Sequence, residues 1–230
     1  MTKNHLKRLN SPKAWSIKKK GMVFVTRPNV SGYKLENAMP LSIVIRDILD
    51  YAKTSREVKY IITNKPVLVD GKRRDDHRFG VGLFSVLSFP DVKKNFRMVF
   101  NENNRFAFKE LDAGEAALKP LKVTSKAKYK GKTQLCFFDG RTMLADKDDL
   151  KVGDSVIFSL ADNKIKEVFK LAKGAMIILI GGKHLGDTGF VEDVISSRII
   201  YKNKKGESFE TLKKYAFVIG KDKAALKSLV

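Results

Sequence analysis

The chain has 230 residues, and its 46 Lys and Arg against 25 Asp and Glu give a formal net charge of +21. Apolar residues make up 43% of the sequence, which is enough to build packed cores and excludes a wholly disordered polyelectrolyte. Because such a charge excess weakens a compact state through self-repulsion, it favours a polyanionic partner, with nucleic acid ahead of a membrane surface.

Neither a secretory signal nor a membrane span is predicted from the sequence. The first residues are basic, but no apolar stretch follows them. The longest wholly aliphatic stretch, Ala175 to Ile180, has six residues, whereas a membrane-spanning helix needs roughly 20. The single cysteine excludes an intramolecular disulfide. We therefore expect a soluble cytoplasmic protein without a membrane partner.

Residues 1–40 are predicted to form a basic N-terminal arm. Between residues 1 and 34 there are nine Lys or Arg and no acidic residue, and Pro and Gly interrupt any regular pattern. Such arms often become ordered only on nucleic acid, and an interleaved aromatic ring offers a stacking group. The candidate RNA-binding residues of the arm are Lys3, Lys7, Arg8, Lys13, Trp15, Lys18, Lys19, Lys20 and Arg27. A disordered solubilising tail is the alternative.

Residues 41–90 are predicted to form a small helical RNA-binding module. Apolar residues from Leu41 to Ala52 recur at the spacing of one helical face and predict a helix of about three turns. Thr54, with Glu57 three residues later, forms a capping-box pattern at the start of a second helix. Asn64 and Pro66 are predicted to end that helix.

The second half of this module is predicted to be a basic hairpin. A short strand at 67–69 runs into a tight turn at Asp70-Gly71, and another strand pair is predicted between Phe79 and Phe89. Arginine binds phosphate through two parallel donors, and helix N-termini favour anions. The candidate RNA face of the module comprises Arg46, Lys53, Thr54, Ser55, Arg56, Lys72, Arg73 and Arg74. The alternative is a solvated face that nearby aspartates pair with.

Residues 91–171 are predicted to form a β-rich central domain. The alternation predicts a strand pair over 96–111, and two further hairpins are centred on Asp139-Gly140 and Asp162-Asn163. Short strands at this spacing predict a small barrel, interrupted by helix-forming composition at 113–118. A second candidate phosphate-binding group, or alternatively ordinary solvated charge, lies on a predicted loop and comprises Lys126, Lys128, Lys130 and Lys132.

Residues 172–230 are predicted to form a second β module with a glycine-rich turn. Glycines at 182, 186 and 189 lie between two apolar strands and are expected to supply positive φ. Lys183 and His184 are predicted to be exposed there and to contact RNA or a neighbouring protein, and a purely structural turn is the alternative. A phosphate-binding loop is rejected, because His184 stands where Ser or Thr should follow the lysine. A third lysine cluster comprises Lys202, Lys204, Lys205, Lys213 and Lys214.

No catalytic or metal-binding set is predicted. His5, His77 and His184 are far apart in the sequence, and one cysteine gives no zinc-ligand spacing. The aspartates at 146, 148 and 149 lack the glycine and closing glutamate of a calcium loop. We therefore expect no cofactor, no metal, no small-molecule substrate and no enzymatic activity.

Two segments resemble known RNA-binding motifs. The stretch from Leu41 to Val86 resembles the module of two helices and a few strands shared by a bacterial small-subunit ribosomal protein, pseudouridine synthases and tyrosyl-tRNA synthetases. The match lies in the first helix face, in residues 54–57 and in residues 67–73. The stretch from Gly174 to Val191 resembles a KOW motif, with glycines spaced four then three residues apart between two strands.

The order of these parts is similar to that of a whole protein family. A basic arm, the helical module, a β-rich middle and a KOW-like end occur in that order in the archaeal and eukaryotic small-subunit ribosomal protein family called S-four-e. Residues 3–9 followed by 11–15 also resemble the opening of that family. The sequence stops at Val230, whereas eukaryotic members carry a longer tail, so the archaeal branch is expected.

The predicted fold is α+β and multidomain. It comprises a small two-helix RNA-binding module with short strands, a β-barrel-like middle domain and a KOW-like (SH3-like) β module. The resemblance implies a structural constituent of the small ribosomal subunit that supports translation and is located in the ribosome in the cytoplasm. It implies binding to ribosomal RNA, mainly through backbone and shape contacts, beside neighbouring ribosomal proteins. The alternative is an RNA-modifying enzyme, or a KOW-type translation or transcription factor, that uses the same modules.

Overall fold

The chain folds into two compact units, Met1–Ala117 and Leu118–Val230. The structure is a computed structural model that describes residues 4–101, 103–145, 149–203, 206–221 and 223–229. Strands dominate the described residues and helices are few. None of the described helices is both long and apolar enough to cross a membrane.

The first two helices of the first unit begin where the sequence predicts them. Helix α1 (Leu41–Ile43) passes directly into a π-helical turn (Val44–Ile48), and helix α2 spans Ser55–Asn64. The first helix is shorter than predicted, because Asp50 has a φ of 52°, which no right-handed helix can accommodate. A third helix, α3 (Ala113–Ala116), lies in the stretch of helix-forming composition.

The predicted capping box opens α2. The Thr54 hydroxyl accepts a hydrogen bond from the Glu57 backbone N–H at 3.3 Å, and the Glu57 carboxylate accepts one from the Thr54 N–H at 3.3 Å. These two bonds satisfy donors that the first helical turn leaves without partners. Val58 and Ile62 then place the apolar side of the helix in the core.

The strands of the first unit form one main sheet and two short pairs. The main sheet has the order β5-β4-β7-β8-β9, while β1 pairs with β2 and β3 pairs with β6. The strands are β1 (Leu6–Lys7), β2 (Phe24–Val25), β3 (Ala38–Pro40), β4 (Leu68–Val69), β5 (Lys72–Arg73), β6 (Gly80–Gly82), β7 (Val86–Phe89), β8 (Lys94–Phe100) and β9 (Phe106–Leu111).

The hairpin β8-β9 lies in the first unit, whereas the sequence interpretation placed it in a central domain over 91–171. Strand β8 pairs with β7, with Val86 opposite Arg97 and Phe89 opposite Lys94. The hairpin was recognised from its own residues, because alternation and turn chemistry are local. Its sheet partner is not encoded locally, which explains the difference.

Several apolar side chains of the basic N-terminal segment are buried, although nothing in its sequence pattern predicted packing against other parts of the chain. Leu6, Ala14, Trp15, Ile17 and Val25 are buried. The Trp15 indole N–H donates to the Ala38 carbonyl at 2.9 Å, and the Ala14 carbonyl accepts from the Phe106 N–H at 2.7 Å. The segment is therefore packed onto the rest of the unit.

The second unit contains two antiparallel sheets, with the orders β12-β11-β10-β13-β14 and β18-β17-β16-β15-β19. In the first sheet the pairings among described residues leave β12 and β14 as edge strands. Both predicted hairpins, β11-β12 and β13-β14, are present. The strands are β10 (Leu118–Tyr129), β11 (Lys132–Phe137), β12 (Thr142–Ala145), β13 (Ser155–Ser159), β14 (Lys164–Phe169), β15 (Met176–Leu179), β16 (Thr188–Ile195), β17 (Arg198–Asn203), β18 (Ser208–Leu212) and β19 (Ala216–Gly220).

Each sheet of the second unit has an apolar core on one face. Leu121, Val123 and Phe137 are among the buried residues of the first core, and Ile177, Ile199 and Val218 are among those of the second. The alternation of buried and exposed positions along β16 and β18 shows that their other side chains face solvent.

Candidate nucleic-acid interface

The start of helix α2 brings together two of the predicted residues, Arg46 and Ser55. Arg46 Nη1 donates to the Ser55 hydroxyl at 3.1 Å, so the first helix and the N-terminus of α2 form one polar surface. Arg46 also forms a two-bond ion pair with Asp47, at 2.7 and 2.8 Å. The hydrogen bond with Asp47 raises the pKa of Arg46 above its ordinary value. For Arg46, the structure therefore agrees with the alternative that nearby aspartates pair with the predicted cations.

Two further predicted cations, Lys53 and Arg56, lie near the start of α2. Lys53 and Arg56 are exposed, and their side chains make no hydrogen bond or ion pair among the described residues. The Thr54 hydroxyl is occupied by its capping bond. Backbone N–H donation from Lys53 and Thr54 lowers the pKa of the Glu57 carboxyl, so this acid stays ionised and fixed at the helix start.

The basic hairpin β4-β5 contacts the other end of α2. Arg73 Nη2 donates to the Thr63 carbonyl at 3.1 Å, and Arg73 Nε pairs with Asp75 at 2.9 Å. Thr63 is eight residues beyond Ser55 in α2, which corresponds to about 12 Å along the helix axis. Arg46 and Arg73 therefore lie at opposite ends of the same helix.

The sequence interpretation missed a residue between these ends. Lys59 lies one helical turn after Arg56 on the exposed side of α2. Burial, and after it the charge of Lys59, lowers the pKa of His77. The sequence signal for Lys59 is its spacing of three residues from Arg56, inside a helix that the capping box predicts.

The two other predicted cations of the basic hairpin differ in their surroundings. The Arg74 guanidinium lies 4.2 Å from the Phe79 ring centroid, whereas Lys72 is exposed.

Two of the predicted arm residues are not available at the surface. Trp15 is 1% exposed, so its prediction as a stacking group is corrected: the ring is part of the core. Arg8 is 8% exposed, and its guanidinium donates to the Lys18 carbonyl. Lys19 donates to the Ser11 carbonyl at 3.1 Å. Among the predicted arm residues, the exposed cations are Lys7, Lys13, Lys18 and Lys20, Arg27 is half-buried, and Lys3 lies outside the described residues.

The lysines predicted on a loop of the central domain instead lie on a projecting hairpin. Lys126 and Lys128 belong to β10, Lys132 begins β11, and Lys130 and Gly131 form the turn with φ values of 47° and 79°. Two successive positive φ values characterise the tight turns that join antiparallel strands. The exposed Tyr129 ring lies 5.4 Å from Lys130 Nζ. No acidic residue occurs between Lys122 and Phe138, so this hairpin is uniformly cationic.

The glycine-rich turn holds its predicted residues in different ways. Gly182 and Gly186 have positive φ values of 89° and 83°. Gly189 does not, and the expectation of positive φ there is wrong: a Cβ at Gly189 would lie 2.3 Å from the Lys202 carbonyl oxygen, so the glycine allows close strand approach.

The two candidate contact residues of this turn also differ. His184 lies over the Phe209 ring, with 4.5 Å between ring centroids, and its Nδ1 is 3.3 Å from the Asp187 carboxylate. Lys183 is exposed. His184 is therefore partly held by its neighbours, whereas Lys183 extends from the turn. In the third lysine cluster, Lys204 and Lys205 lie outside the described residues.

Within the described ranges no three His, Cys, Asp or Glu side chains lie close enough together to hold a metal ion. Asp146 and Asp148 lie outside the described residues. What the described surface offers instead is exposed lysine and arginine on a helix, two hairpins and a glycine-rich turn. Exposed cations spread over several small modules are typical of nucleic-acid-binding proteins.

Comparisons with known proteins agree with this class. The family described as Ribosomal family S4e matches residues 92–165, and the RS4NT (NUC023) domain matches residues 2–30. The chain is 38% identical to the small ribosomal subunit protein eS4 of Methanosphaera stadtmanae, over 98% of this chain and 95% of that protein. It is 36% identical to the protein of that name from Methanocella arvoryzae, over 100% and 99%.

A solved structure shows the same relationship. The crystal structure of the 30S ribosomal protein S4e from Thermoplasma acidophilum matches with a TM-score of 0.70 and 31% identity, covering 80% of this chain and 96% of that chain. The chain therefore belongs to the S4e, or S-four-e, family of ribosomal proteins. The resemblance drawn from the sequence is confirmed.

Proposed function

We propose that this protein is a structural constituent of the small ribosomal subunit, located in the ribosome in the cytoplasm, where it binds ribosomal RNA beside neighbouring ribosomal proteins and supports translation. The observation that carries this proposal is the similarity to proteins named small ribosomal subunit protein eS4 over 98% and 100% of the chain. The net charge of +21 supports it, because a subunit embedded in RNA has its charge neutralised there.

Binding is proposed to occur mainly through the RNA backbone and the shape of RNA helices. The deep, narrow major groove of an RNA helix excludes side chains, so cations that follow phosphates are the expected mode. The exposed cations form separate groups in both units, which supports contacts with several RNA segments. The proposed contacts are Lys7, Lys13, Lys18, Lys20, Arg27, Arg46, Lys53, Ser55, Arg56, Lys59, Lys72, Arg73, Arg74, Lys128, Lys130, Lys132, Lys183 and His184.

The modules are proposed to divide this work. Residues 41–90 act as a helical RNA-binding module, and residues 172–230 act as a KOW-like module that contacts RNA or a neighbouring protein. Support for the first is the cationic surface around α2, and support for the second is the pair of positive-φ glycines that hold Lys183 at a turn. The role is structural and not enzymatic, in keeping with the family.

Sucrose-gradient sedimentation of ribosomes from the source organism tests the proposal. We expect the protein in small subunits at one copy per particle, retained after a high-salt wash. Substoichiometric and salt-labile association would instead indicate a KOW-type factor. Base modification of ribosomal RNA by the purified protein would indicate an RNA-modifying enzyme. Either result would overturn the structural role.

A further inference from the structure

A cleft in the first unit lies where the segment from Arg27 to Leu35 crosses strand β6. The Asn29 backbone N–H donates to the Arg78 carbonyl at 2.8 Å, and Arg78 Nε donates to the Arg27 carbonyl at 3.3 Å. These reciprocal bonds tie the segment to the residues just before β6. The cleft is therefore formed by two fixed stretches of backbone.

Two glycines of β6 allow the segment to lie close to the strand. A Cβ at Gly82 would be 2.3 Å from the Tyr33 ring, and a Cβ at Gly80 would be 2.4 Å from the Ser31 hydroxyl. No other residue type leaves room for these contacts. The Tyr33 hydroxyl also hydrogen-bonds with Ser85 Oγ at 3.1 Å. The ring is thus fixed in place as one wall of the cleft.

The cleft has a volume of about 410 Å³ and is lined by two arginines, Arg27 and Arg78, by the polar Asn4 and Ser31, and by Pro28 and Tyr33. Of the described residues, no acidic one lines it. The Asp76 carboxylate accepts a hydrogen bond from the side-chain amide of the lining residue Asn29 at 2.5 Å and one from the Arg78 backbone N–H at 2.8 Å. Asp76 therefore holds Asn29 and the Arg78 backbone in place without lining the cleft, so the charged side chains that line the cleft are the two arginines.

Both arginines have guanidinium N–H donors without a hydrogen-bond partner among the described residues. The Arg27 guanidinium makes no hydrogen bond or ion pair among the described residues, and Arg78 uses only Nε, toward the Arg27 carbonyl. Guanidinium groups without a carboxylate partner favour phosphate, which they bind through parallel N–H donors. An aromatic ring fixed beside them offers a face on which a base can stack.

The size of the cleft selects one nucleotide rather than a helix. Ligand clefts span roughly 300–1,000 Å³, and this one lies at the lower end. A base paired inside an A-form helix is stacked on both sides and cannot enter a cleft in a protein, whereas an unpaired base in a loop or bulge can.

We infer that this cleft holds one unpaired nucleotide of RNA, with its phosphate between Arg27 and Arg78 and its base against Tyr33. The inference rests on the proposed RNA binding and deepens it. The lysine-rich faces hold helical RNA by its backbone, and the cleft adds a contact that requires a nucleotide outside a helix.

Fluorescence anisotropy with the full-length protein tests the inference. The probes are a labelled single-stranded uridine oligomer of about ten nucleotides and a labelled RNA duplex of similar length. Arg27→Gln is expected to weaken oligomer binding about tenfold and duplex binding less than about twofold. Lys34→Gln is the matched control, because it removes the same charge from an exposed neighbour outside the cleft. It is expected to change either affinity by about twofold or less.

Ultraviolet crosslinking of the wild-type protein to the oligomer locates the contact independently of any variant. We expect mass spectrometry to find a uridine adduct on Tyr33. An adduct pattern without Tyr33, or equal losses for Arg27→Gln and Lys34→Gln, would overturn the cleft. Displacement of the oligomer by an equal concentration of uridine monophosphate would overturn the assignment to RNA and favour a free nucleotide.

The failure of this inference is distinguishable from the failure of the proposed function. If the protein binds small-subunit ribosomal RNA in a salt-dependent way while the cleft results are negative, only the cleft is wrong. If it binds neither ribosomal RNA nor the oligomer at low salt, the proposed function is wrong as well. Arg27→Gln should keep the thermal midpoint of the wild type, since the Arg27 side chain has no partner within the described chain.

Discussion

Lys122 carries a charged group into the interior of the second unit. Its Nζ donates to the carbonyl oxygens of Lys213, Lys214 and Ala216 at 3.1, 2.9 and 2.5 Å. Lys122 belongs to β10 and Ala216 begins β19, so a single ammonium group joins the two sheets of this unit. Burial, and to a lesser extent the charge of Lys213, lowers the pKa of Lys122 to about 8.

This pKa predicts how stability depends on pH. Since the ordinary lysine pKa of 10.5 applies to the unfolded chain, that chain holds more protons than the folded one between about pH 8 and 10.5. The Lys122 contribution to the free energy of unfolding should therefore rise with pH across this window. Urea unfolding of the wild type and of Lys122→Met, at several pH values, measures the contribution as their difference. Lys164→Met on the exposed strand β14 is the control, and equal pH slopes for the wild type and Lys122→Met would contradict the prediction.

At the scale of elements, local chemistry determined what the sequence predicts correctly. The hairpins at Asp139-Gly140 and Asp162-Asn163 and the capped helix α2 are signalled within a few residues of the chain. The burial of the N-terminal segment is not, since Ser16 bonds to Phe106 across 90 residues. The cleft likewise depends on the approach of residues 27–35 to Gly80 and Gly82, for which a single sequence carries no signal. Nor does the residue type distinguish a buried cation such as Lys122 from an exposed one.

The cap of α2 gives a prediction at this scale. Thr54→Ala should lower the free energy of unfolding of the first unit by about 1 kcal/mol, because the Glu57 N–H loses its acceptor. Thr54→Ser keeps a hydroxyl at the same place and should stay close to the wild type. The fluorescence of Trp15, the single tryptophan of the chain, reports unfolding of this unit. Equal destabilisation by both substitutions would show that the hydroxyl does not cap the helix.

At the scale of the whole molecule, the charge of +21 is divided between cations that hold the fold together and cations that face solvent. Arg97 is 0% exposed, and burial lowers its pKa to about 10. Lys119 forms a buried ion pair with Asp139 at 3.1 Å. Such residues are unavailable to RNA, so net charge overstates the number of phosphate contacts the protein can make.

The salt dependence of RNA binding measures how many of the solvent-facing cations contact phosphate. Each neutralised phosphate releases counterions, so the double variant Lys53→Gln/Arg56→Gln should reduce the slope of log K against log salt by about two if both side chains touch phosphate. The double variant Lys164→Gln/Lys166→Gln removes the same charge from the exposed side of β14. Filter binding to small-subunit ribosomal RNA should show a smaller change for this control. A slope that both variants alter equally would mean that α2 is not a specific contact surface.

The burial of Trp15 against Ala38, together with the bond from Ser16 to Phe106, also determines when the N-terminal segment can fold. During synthesis its partners leave the ribosomal exit tunnel up to 90 residues later, which corresponds to roughly 5–20 s at typical elongation rates. For that interval the first 34 residues carry nine cations and no acidic residue. We expect the N-terminal segment of the nascent chain to be prone to nonspecific binding of nucleic acid until Phe106 leaves the tunnel.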